Sequence, residues 1–559
     1  MNTKIAVLGP QGTYGHEAGL KAISRFGLGS DCEVVFVGKN DELVPTAIEN
    51  SSFALVPVEN STAGVVSAAV PELFKLMSRS SQVSVIGELS LAPSHCLLTR
   101  PGVDFNSIKG VLSHSQALEQ CKGSLLQLGI GERISVASTA LAAEMVAKEE
   151  RFSQFAAIAS GVAGEVYRLK VLSPGMADRH DNRTRFYLIG PKDFPADRKI
   201  KLAPKKIGII GVNGRYGRWL KRFFEELGCE VRGSDVDTEL SNRAVIEWAE
   251  VVCFAVSLEV AEQTIRALAP LARKEQLLLD VTSIKTGPVT AMMEAGAEVV
   301  GMHPMCAPTV KTLRGQTVVL TIGRLATWGL WFHDLLCNLR ADVKVSTPEE
   351  HDEVVACVQG LPHIAILAMA ATVRTRGVNV LESLDFTSPF YKVVISLMGR
   401  LLTQDPKLYA EIQMANPHSL EFLRTFRNEL DQLIEVVASK DRATFIEQFQ
   451  ASRDHFGPVA LKQGFDFFEY LIQMLVDLAE ANSIRLSFSQ DHPGLLMQIS
   501  QAFADQKVNM SIVHSSWRNS CLSFLIGLQE PKFSPAVIAA IETIKSLEGA
   551  TVDMKPSFG

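Results

Sequence analysis

The 559-residue chain holds 55 Lys and Arg against 61 Asp and Glu, a formal net charge of −6, and is 47% hydrophobic and 21% charged. At roughly 100 to 200 residues per domain this length implies three to five domains, and the apolar share builds several cores, which excludes a chain dominated by disorder. No block of like charge stands out, and a mildly acidic chain speaks against nucleic acid as a main partner, because phosphate binding needs a clustered basic surface.

From the N-terminus, Ile5-Ala6-Val7-Leu8 reads as a first strand; as an apolar run it is too short for a signal peptide. It enters a small-residue turn with Gly9, Gly12 and Thr13, a shape that suits anions. Asn60, Ser61 and Thr62 form an amide and hydroxyl cluster that can hold carboxylates without a full charge, although on the residues alone ordinary turns and caps explain both features better. From Gly190-Pro191-Lys192-Asp193-Phe194-Pro195 to Pro204, prolines and lysines without apolar period suggest a linker. A second α/β unit alternates strands and helices from about 204 to 345, and helical patterns replace the strands from 349 to 480. Ile484, Leu486 and Phe488 then alternate, Leu496, Ile499 and Phe503 take helical spacing, and Leu522, Phe524, Ile526 and Leu528 alternate again, a small β-α-β unit that closes the chain. The nine cysteines are dispersed without a C-x-x-C pair, which fits a reducing compartment and no metal site. No run of 18 apolar residues is present, so the expectation is a cytoplasmic protein without a membrane span.

The second unit opens with a dinucleotide signature. The strand Ile207-Gly208-Ile209-Ile210 runs into Gly211, Gly214 and Gly217, then a helix with Leu220, Phe223, Phe224 and Leu227 on one face, a stop at Gly228, and a strand from Cys229 that ends at Asp235. Glycines let the backbone turn tightly and approach a pyrophosphate, the helix N-terminus offers unpaired N–H groups, and the acid accepts from a ribose 2′-hydroxyl, which favours NAD over NADP. The spacing is G-x-x-G-x-x-G rather than G-x-G-x-x-G, so the strand–helix–strand–acid context carries the reading.

Further on stand Asp280-Val281-Thr282-Ser283-Ile284-Lys285, Gly301-Met302-His303-Pro304-Met305, Gly360-Leu361-Pro362-His363, Ser388-Pro389-Phe390-Tyr391-Lys392 and Met398-Gly399-Arg400. With the glycine loop, this ordered set resembles prephenate dehydrogenase over about residues 205 to 480. The resemblance implies that His303 is the catalytic histidine, that Ser283 hydrogen-bonds substrate and histidine, that His363 and Lys392 lie on the substrate side, and that Arg400 grips a prephenate carboxylate. Lys392 stands where some relatives have arginine, keeping the charge but losing the planar fork. The chemistry suits these residue types: hydride leaves the hydroxyl-bearing ring carbon for the nicotinamide as carbon dioxide departs, and a neutral histidine takes the hydroxyl proton.

In the N-terminal part, Gly9-Pro10-Gln11-Gly12-Thr13-Tyr14, Pro57-Val58-Glu59-Asn60-Ser61-Thr62, Ser113-His114-Ser115-Gln116-Ala117-Leu118 and Asp181-Asn182-Arg183-Thr184-Arg185-Phe186 resemble prephenate dehydratase over about residues 3 to 190. That resemblance implies a two-lobed module like a periplasmic binding protein, Thr184 as the catalytic threonine, and a pocket that draws on Thr13, Asn60, Ser61, Arg185 and Phe186. Gly15 stands where relatives often carry serine. At the C-terminus, Asp491-His492-Pro493-Gly494 and Val508-Asn509-Met510 resemble an ACT regulatory domain, which implies an amino-acid effector, phenylalanine or tyrosine, near Asp491, Gly494 and Asn509.

The expected architecture is therefore multidomain α/β: a two-lobed module at 1–195, a Rossmann NAD domain at 204–348, an all-α substrate-binding and dimerisation domain at 349–480 and a small α+β ACT-like domain at 483–559. The expected function is a bifunctional enzyme of phenylalanine and tyrosine synthesis, a homodimer through its helical domain, that acts on prephenate with NAD as cofactor. The alternative is a monofunctional prephenate or arogenate dehydrogenase with a non-catalytic, ligand-sensing N-terminal domain, a reading motivated by Gly15.

Overall fold

A computed structural model describes residues 3–554 apart from 30, 50–52, 80–82, 180–181, 193, 195–199, 307, 309, 311, 480–482 and 519–520. The chain forms two compact units, Met1–Val358 with Lys407–Ser419, and Gln359–Pro406 with Leu420–Gly559.

The first unit holds three sheets. One has the order Glu33–Val37, Lys4–Leu8, Phe53–Asn60, Thr184–Pro191, Val83–Leu91, with Gly64–Val65 paired to Phe53–Asn60. A second has the order Lys170–Ser173, Cys96–Thr99, Phe155–Ala159, Gly110–Ser113, Glu132–Ser135. The chain crosses between these two lobes between residues 91 and 96 and again between 173 and 184. The third sheet has the order Glu230–Ser234, Lys206–Ile210, Val251–Phe254, Leu277–Asp280, Glu298–Pro304, Thr317–Arg324, Asp342–Ser346. Its first five strands are parallel. Lys206–Ile210, Val251–Phe254 and Leu277–Asp280 are near-continuous apolar runs because a parallel sheet is covered by helices on both faces. The strand order reverses at Lys206–Ile210, which leaves a crevice beside the ends of Lys206–Ile210 and Val251–Phe254 where nucleotides bind in such folds.

The supposed linker is structural where it is described. Residues 195–199 lie outside the described residues, but Ile200 and Leu202 are buried in the cores on either side of it. They belong to an interface between the two-lobed module and the seven-stranded module. The helix Ala69–Arg79 has two apolar stripes: Leu73 and Leu76 enter its own lobe's core, whereas Val70, Phe74 and Met77, at helical spacing, pack on the core of the other module. The helix Gly329–Leu339 answers from the opposite side. Phe332 stacks with Phe74 at 6.3 Å, Leu330 enters the core of the first lobe, and a Cβ on Gly329 would come within 2.7 Å of Val70 Cγ1, so the two helices meet closely at this glycine.

In the second unit the helices Leu361–Thr375, Pro389–Leu402 and Arg442–Ala479 pack together, the last broken at Gly457, whose φ of 68° precedes Pro458. The four-stranded antiparallel sheet Met510–Arg518, Cys521–Leu528, Ser483–Phe488, Ala550–Asp553 carries helices Leu495–Asp505 and Pro535–Lys545 on one core. Its connectivity is βαββαβ, larger than the β-α-β unit expected. The expectation of no membrane-length helix also needs correction. Pro348–Thr375 is long and apolar enough to cross a bilayer by length and composition, with a mean hydropathy of 1.9 and 17% of that window buried. The count of strictly apolar residues missed it, because Val354–Val373 is merely uncharged and includes Gln359, Gly360, Pro362 and His363.

The interface between the first two modules generates a prediction. Phe74→Ala should lower the unfolding free energy of the full chain by about 3–5 kcal/mol, measured in urea; a loss below about 1 kcal/mol would mean that these helices do not share a core.

Candidate active sites

A cleft of about 280 Å³ opens between the two lobes, with Tyr14, Asn60, Asn182 and Thr184 on one wall and His95, His114, Gln116, Gln120, Ser138 and Thr139 on the other. Among the described residues, no Lys or Arg lines it. Helices Tyr14–Phe26, Ser115–Gln120 and Thr139–Lys148 begin beside the cleft, the first on the Tyr14 wall and the other two on the opposite wall, so the positive ends of three helix dipoles lie near it.

Asn60 and Thr184 face each other across the ladder between Phe53–Asn60 and Thr184–Pro191. The orientation of the Asn60 amide is settled by its neighbours. Its Oδ1 accepts from the backbone N–H of Thr62 and Ala63, so Nδ2 must be the donor, to Asn182 Oδ1 at 2.8 Å and to Thr184 Oγ1 at 3.0 Å. Because Thr184 Oγ1 accepts this bond, its own hydroxyl proton is not spent on Asn60, and the residue lines the cleft. At the opposite wall His95 bridges Gln120 Oε1 at 2.8 Å and Tyr14 OH at 2.5 Å. Burial lowers the His95 pKa against the opposing Gln120 bond, and burial raises the Tyr14 phenol well above its usual value, so both are neutral near pH 7.

Several expected pocket residues act otherwise. Arg185 does not reach the cleft. Strand alternation turns it to the far face, where it binds Asp334 and Glu88. Phe186 is buried in the lobe's core with Ile5, Val7 and Leu55. Thr13 caps the first helix, accepting from His16 N and donating to Pro10 O at 2.9 Å, and Ser61 Oγ accepts from Arg183 N. A Cβ at Gly15 would lie 2.2 Å from Leu8 O, so position 15 faces the first strand and its glycine removes nothing from the cleft.

In the seven-stranded module, Gly211 turns with φ 89° against the Ala255 carbonyl, and a Cβ at Gly217 would sit 2.1 Å from Gly211 O, so this glycine seats the helix on the turn. Gly214 caps the helix Arg215–Glu226 without a side-chain bond, leaving its N–H groups to a ligand. Asp235 ends the next strand, and its carboxylate is fixed by Asn213 N at 2.9 Å and Val236 N at 2.8 Å. This cradle fits a dinucleotide: a tight turn, a free helix N-terminus and an oriented acid.

His303 lies on Glu298–Pro304 and is 3% exposed. Its Nδ1 meets His351 Nε2 at 2.9 Å, and His351 Nδ1 meets Asp352 Oδ1 at 2.7 Å. Asp352 is itself fixed by the backbone N–H groups of Lys285 and Thr286, each at 2.8 Å. Burial raises the Asp352 pKa, but the bonds from His351, Thr286 and Lys285 outweigh it and hold the group below its ordinary value. The resulting order, carboxylate to His351 to His303, makes His351 Nδ1 the donor to Asp352 and leaves its Nε2 to accept from His303 Nδ1–H. His303 Nε2 is then an unprotonated acceptor. Burial, with the neighbouring His351 and Lys285, holds His303 well below the usual histidine pKa. Lys285 is fully buried, pairs with Asp280, and donates to the Met302 carbonyl at 3.0 Å, pinning the strand one residue before His303. Ser283 is half-buried on the loop between Leu277–Asp280 and Thr286–Met293. His351 and Asp352, adjacent at the start of a helix whose capping box is Thr347 and Glu350, went unread in the sequence; their signal was a His-Asp pair at a well-capped helix start.

In the other unit, His363 is half-buried on Leu361–Thr375, and burial lowers its pKa. Lys392 and Arg400 are both exposed on the adjoining helix Pro389–Leu402. The residues expected to hold an effector do not converge within one chain. Asp491 and Gly494 follow Phe488, whereas the sheet register sets Met510, next to Asn509, beside Leu528 at the opposite, Ser483 end.

Comparison with known proteins identifies the families of the modules. The prephenate dehydratase family model matches residues 5–194, the prephenate dehydrogenase nucleotide-binding domain residues 230–331, and the prephenate dehydrogenase dimerization domain residues 347–451. The chain is 32% identical over 328 residues to a probable arogenate/prephenate dehydrogenase of Methanocaldococcus jannaschii, 55% of this chain and 70% of that protein. It is 33% identical over 212 residues to a prephenate dehydratase of the same organism, 38% of this chain and 72% of that protein. Among solved structures, prephenate dehydrogenase from A. aeolicus in complex with hydroxyphenyl propionate and NAD+ aligns over 46% of this chain and 98% of its own at 18% identity, with a TM-score of 0.38. The chain thus belongs to two enzyme families at once, prephenate dehydratase in its N-terminal part and prephenate dehydrogenase in the part that follows.

Proposed function

We propose that the chain directs prephenate into two decarboxylating reactions, one in each module, which yield phenylpyruvate and 4-hydroxyphenylpyruvate. The observation that carries this reading is that each module has a complete polar site of its own: Thr184 with Asn60 in one, His303 with His351 and Asp352 in the other.

In the dehydratase cleft, prephenate, a dianion, is held by the helix N-termini beside it. Thr184 hydrogen-bonds to the ring hydroxyl and passes it a proton, so that it leaves as water while the ring carboxylate departs as carbon dioxide, and a proton from solvent restores the threonine hydroxyl. The carbon–carbon bonding pair enters the ring, and aromatisation supplies most of the drive. In the dehydrogenase site, NAD when bound would supply the acceptor for the hydride that leaves the hydroxyl-bearing ring carbon as the ring carboxylate departs. Gly211, Gly214 and Gly217 would seat the pyrophosphate, and Asp235 the adenosine ribose. His303 Nε2 takes the hydroxyl proton, and Asp352 stabilises the positive charge through His351. Ser283, His363, Lys392 and Arg400 are proposed substrate contacts, as the family resemblance implies.

We further propose that residues 1–195, 204–348, 349–480 and 483–559 are the working domains, that the last is an ACT-like unit responding to phenylalanine or tyrosine, and that the chain acts as a cytoplasmic homodimer. The helical residues Phe386, Phe390, Phe449, Phe456 and Phe465 are exposed, little of the uncharged helix around His363 is buried, and a second copy would cover such a surface.

Supplied with prephenate, the purified chain should form phenylpyruvate without NAD and 4-hydroxyphenylpyruvate with stoichiometric NADH when NAD is present. Thr184→Ala should lower only the first product, and His303→Asn only the second, each by about 100-fold or more. NADH formation without phenylpyruvate above the spontaneous rate would leave the N-terminal part a binding module, and arogenate in a parallel assay decides the substrate. Because neutral His303 is the competent form and its pKa is lowered, kcat/KM for NADH formation should hold through pH 6.5 and fall only below it; a limb centred at 6.5 or higher would remove His303 as the base. Asp235→Ala should raise the KM for NAD about tenfold and narrow its preference over NADP, while an unchanged KM would place the ribose elsewhere.

A further inference from the structure

The strand that presents Thr184 to the dehydratase cleft is gripped from behind by the dehydrogenase module. Arg185 donates to Asp334 through two nitrogens, Nη1 to Oδ2 at 2.7 Å and Nη2 to Oδ1 at 3.2 Å, and Nη2 also reaches Glu88 Oε2 at 2.8 Å and Lys201 O at 3.1 Å. The guanidinium lies 5.1 Å from the Tyr187 ring centroid. The Asp334 side chain is 4% exposed and that of Arg185 15%, so this is a buried, forked, charge-assisted pair. Asp334 sits on Gly329–Leu339, the helix that docks the two modules. Asn338, one turn on, donates to Asp334 O and Ile200 O and ties the same helix to the connecting segment.

The place of this pair in the strand gives it a consequence for chemistry. The ladder between Thr184–Pro191 and Phe53–Asn60 shifts register between Arg185 and Phe186, so the Thr184–Asn60 and Arg185–Glu59 pairs stand beyond a bulge. A bulge interrupts the ladder and re-aims the residues past it. On its other edge the strand runs through this point in unbroken register, Thr184 beside Leu91 and Arg185 beside Ser90, so Thr184 has one regular ladder and one interrupted ladder, and the side chain that anchors the segment past the bulge is Arg185. We infer that Asp334, a residue of the dehydrogenase module, is a positioning residue for the dehydratase reaction, holding Thr184 in place through Arg185. The inference rests on the dehydratase reading above. It makes the dehydrogenase module part of the dehydratase's framework, so that the dehydratase activity depends on the fusion.

The experiment uses the full chain with Asp334→Asn, Asp334→Glu and the double variant Arg185→Met/Asp334→Leu, assaying phenylpyruvate and NADH from the same preparations alongside the unaltered chain. Asp334→Asn should lower dehydratase kcat about tenfold or more with KM within about twofold, because small misplacements of a catalytic group have effects of this size. NADH formation should stay within about twofold, and Asp334→Glu should recover much of the lost kcat. Unchanged dehydratase kcat in Asp334→Asn overturns the inference, and so does a rise in KM at unchanged kcat, which would make the effect one of substrate binding. If Asp334→Asn instead depresses both activities through a lower Tm, the uncharged double variant restores packing. Dehydratase kcat that stays low beside recovered NADH formation supports the inference, and joint recovery overturns it. Amide exchange at 182–187 reads the same grip without turnover: faster exchange at Thr184 in Asp334→Asn, with Lys206–Ile210 unchanged, is expected, and unchanged exchange at Thr184 counts against the grip. An unaltered chain that makes no phenylpyruvate would defeat the dehydratase assignment, whereas the exchange result still judges the positioning role.

Discussion

The strand Thr184–Pro191 has two faces, and the first 358 residues are organised around how each is used. Toward one side, Phe186 and Leu188 close the core of the first lobe and Thr184 meets the cleft. Toward the other, Tyr187 and Ile189 enter a core shared with Leu330, and Arg185 is held by Asp334. An alternating strand cannot offer either set without the other. Presenting Thr184 to the cleft therefore turns Arg185 and Tyr187 to the face behind it. An unpaired guanidinium there would be costly, and here the carboxylates that meet it come from Glu88 within the lobe and Asp334 across the module boundary.

The two catalytic regions solve their electrostatics in different ways. Among the described residues the cleft of the first module has no Lys or Arg in its lining and has three helix N-termini beside it, whose dipoles favour an anion without a flexible charged side chain. The dehydrogenase site buries a neutral histidine and supplies the counter-charge at one remove. Asp352 is anchored by two backbone N–H groups, orients His351, and through it selects the tautomer of His303. Lys285 sits close enough to discourage a proton on His303 in the resting protein, yet its charge is matched by Asp280. On the proposed mechanism, a proton taken by His303 is accepted against a low intrinsic basicity, and Asp352 behind the histidine pair offsets the charge.

Much of this was readable from local patterns. The strand, glycine turn, helix and acid from Ile207 to Asp235 lie within one short stretch, and the backbone physics that makes such a stretch bind a dinucleotide is local too. Asn60 and Thr184 were also readable, but through family motifs and not through spacing, since 124 residues separate them. What failed was any inference about neighbours brought in from elsewhere. Arg185 and Phe186, adjoining Thr184 in sequence, looked like pocket residues, yet the strand turns Arg185 to the opposite face and the core takes Phe186. Gly15 looked like a lost hydroxyl, but the first strand's carbonyl leaves no room for one.

By itself the sequence determined the two modules, their order, the nucleotide turn and the identities of Thr184 and His303 as candidates, because each is written in a contiguous motif or a periodic apolar pattern. Only the tertiary structure decided what stands behind those residues. His303 finds His351 48 positions later, and Arg185 finds Asp334 149 positions later. A strand's alternation fixes which way a side chain leaves the sheet, but which partner waits there is settled by the packing of distant elements, and no local periodicity encodes it.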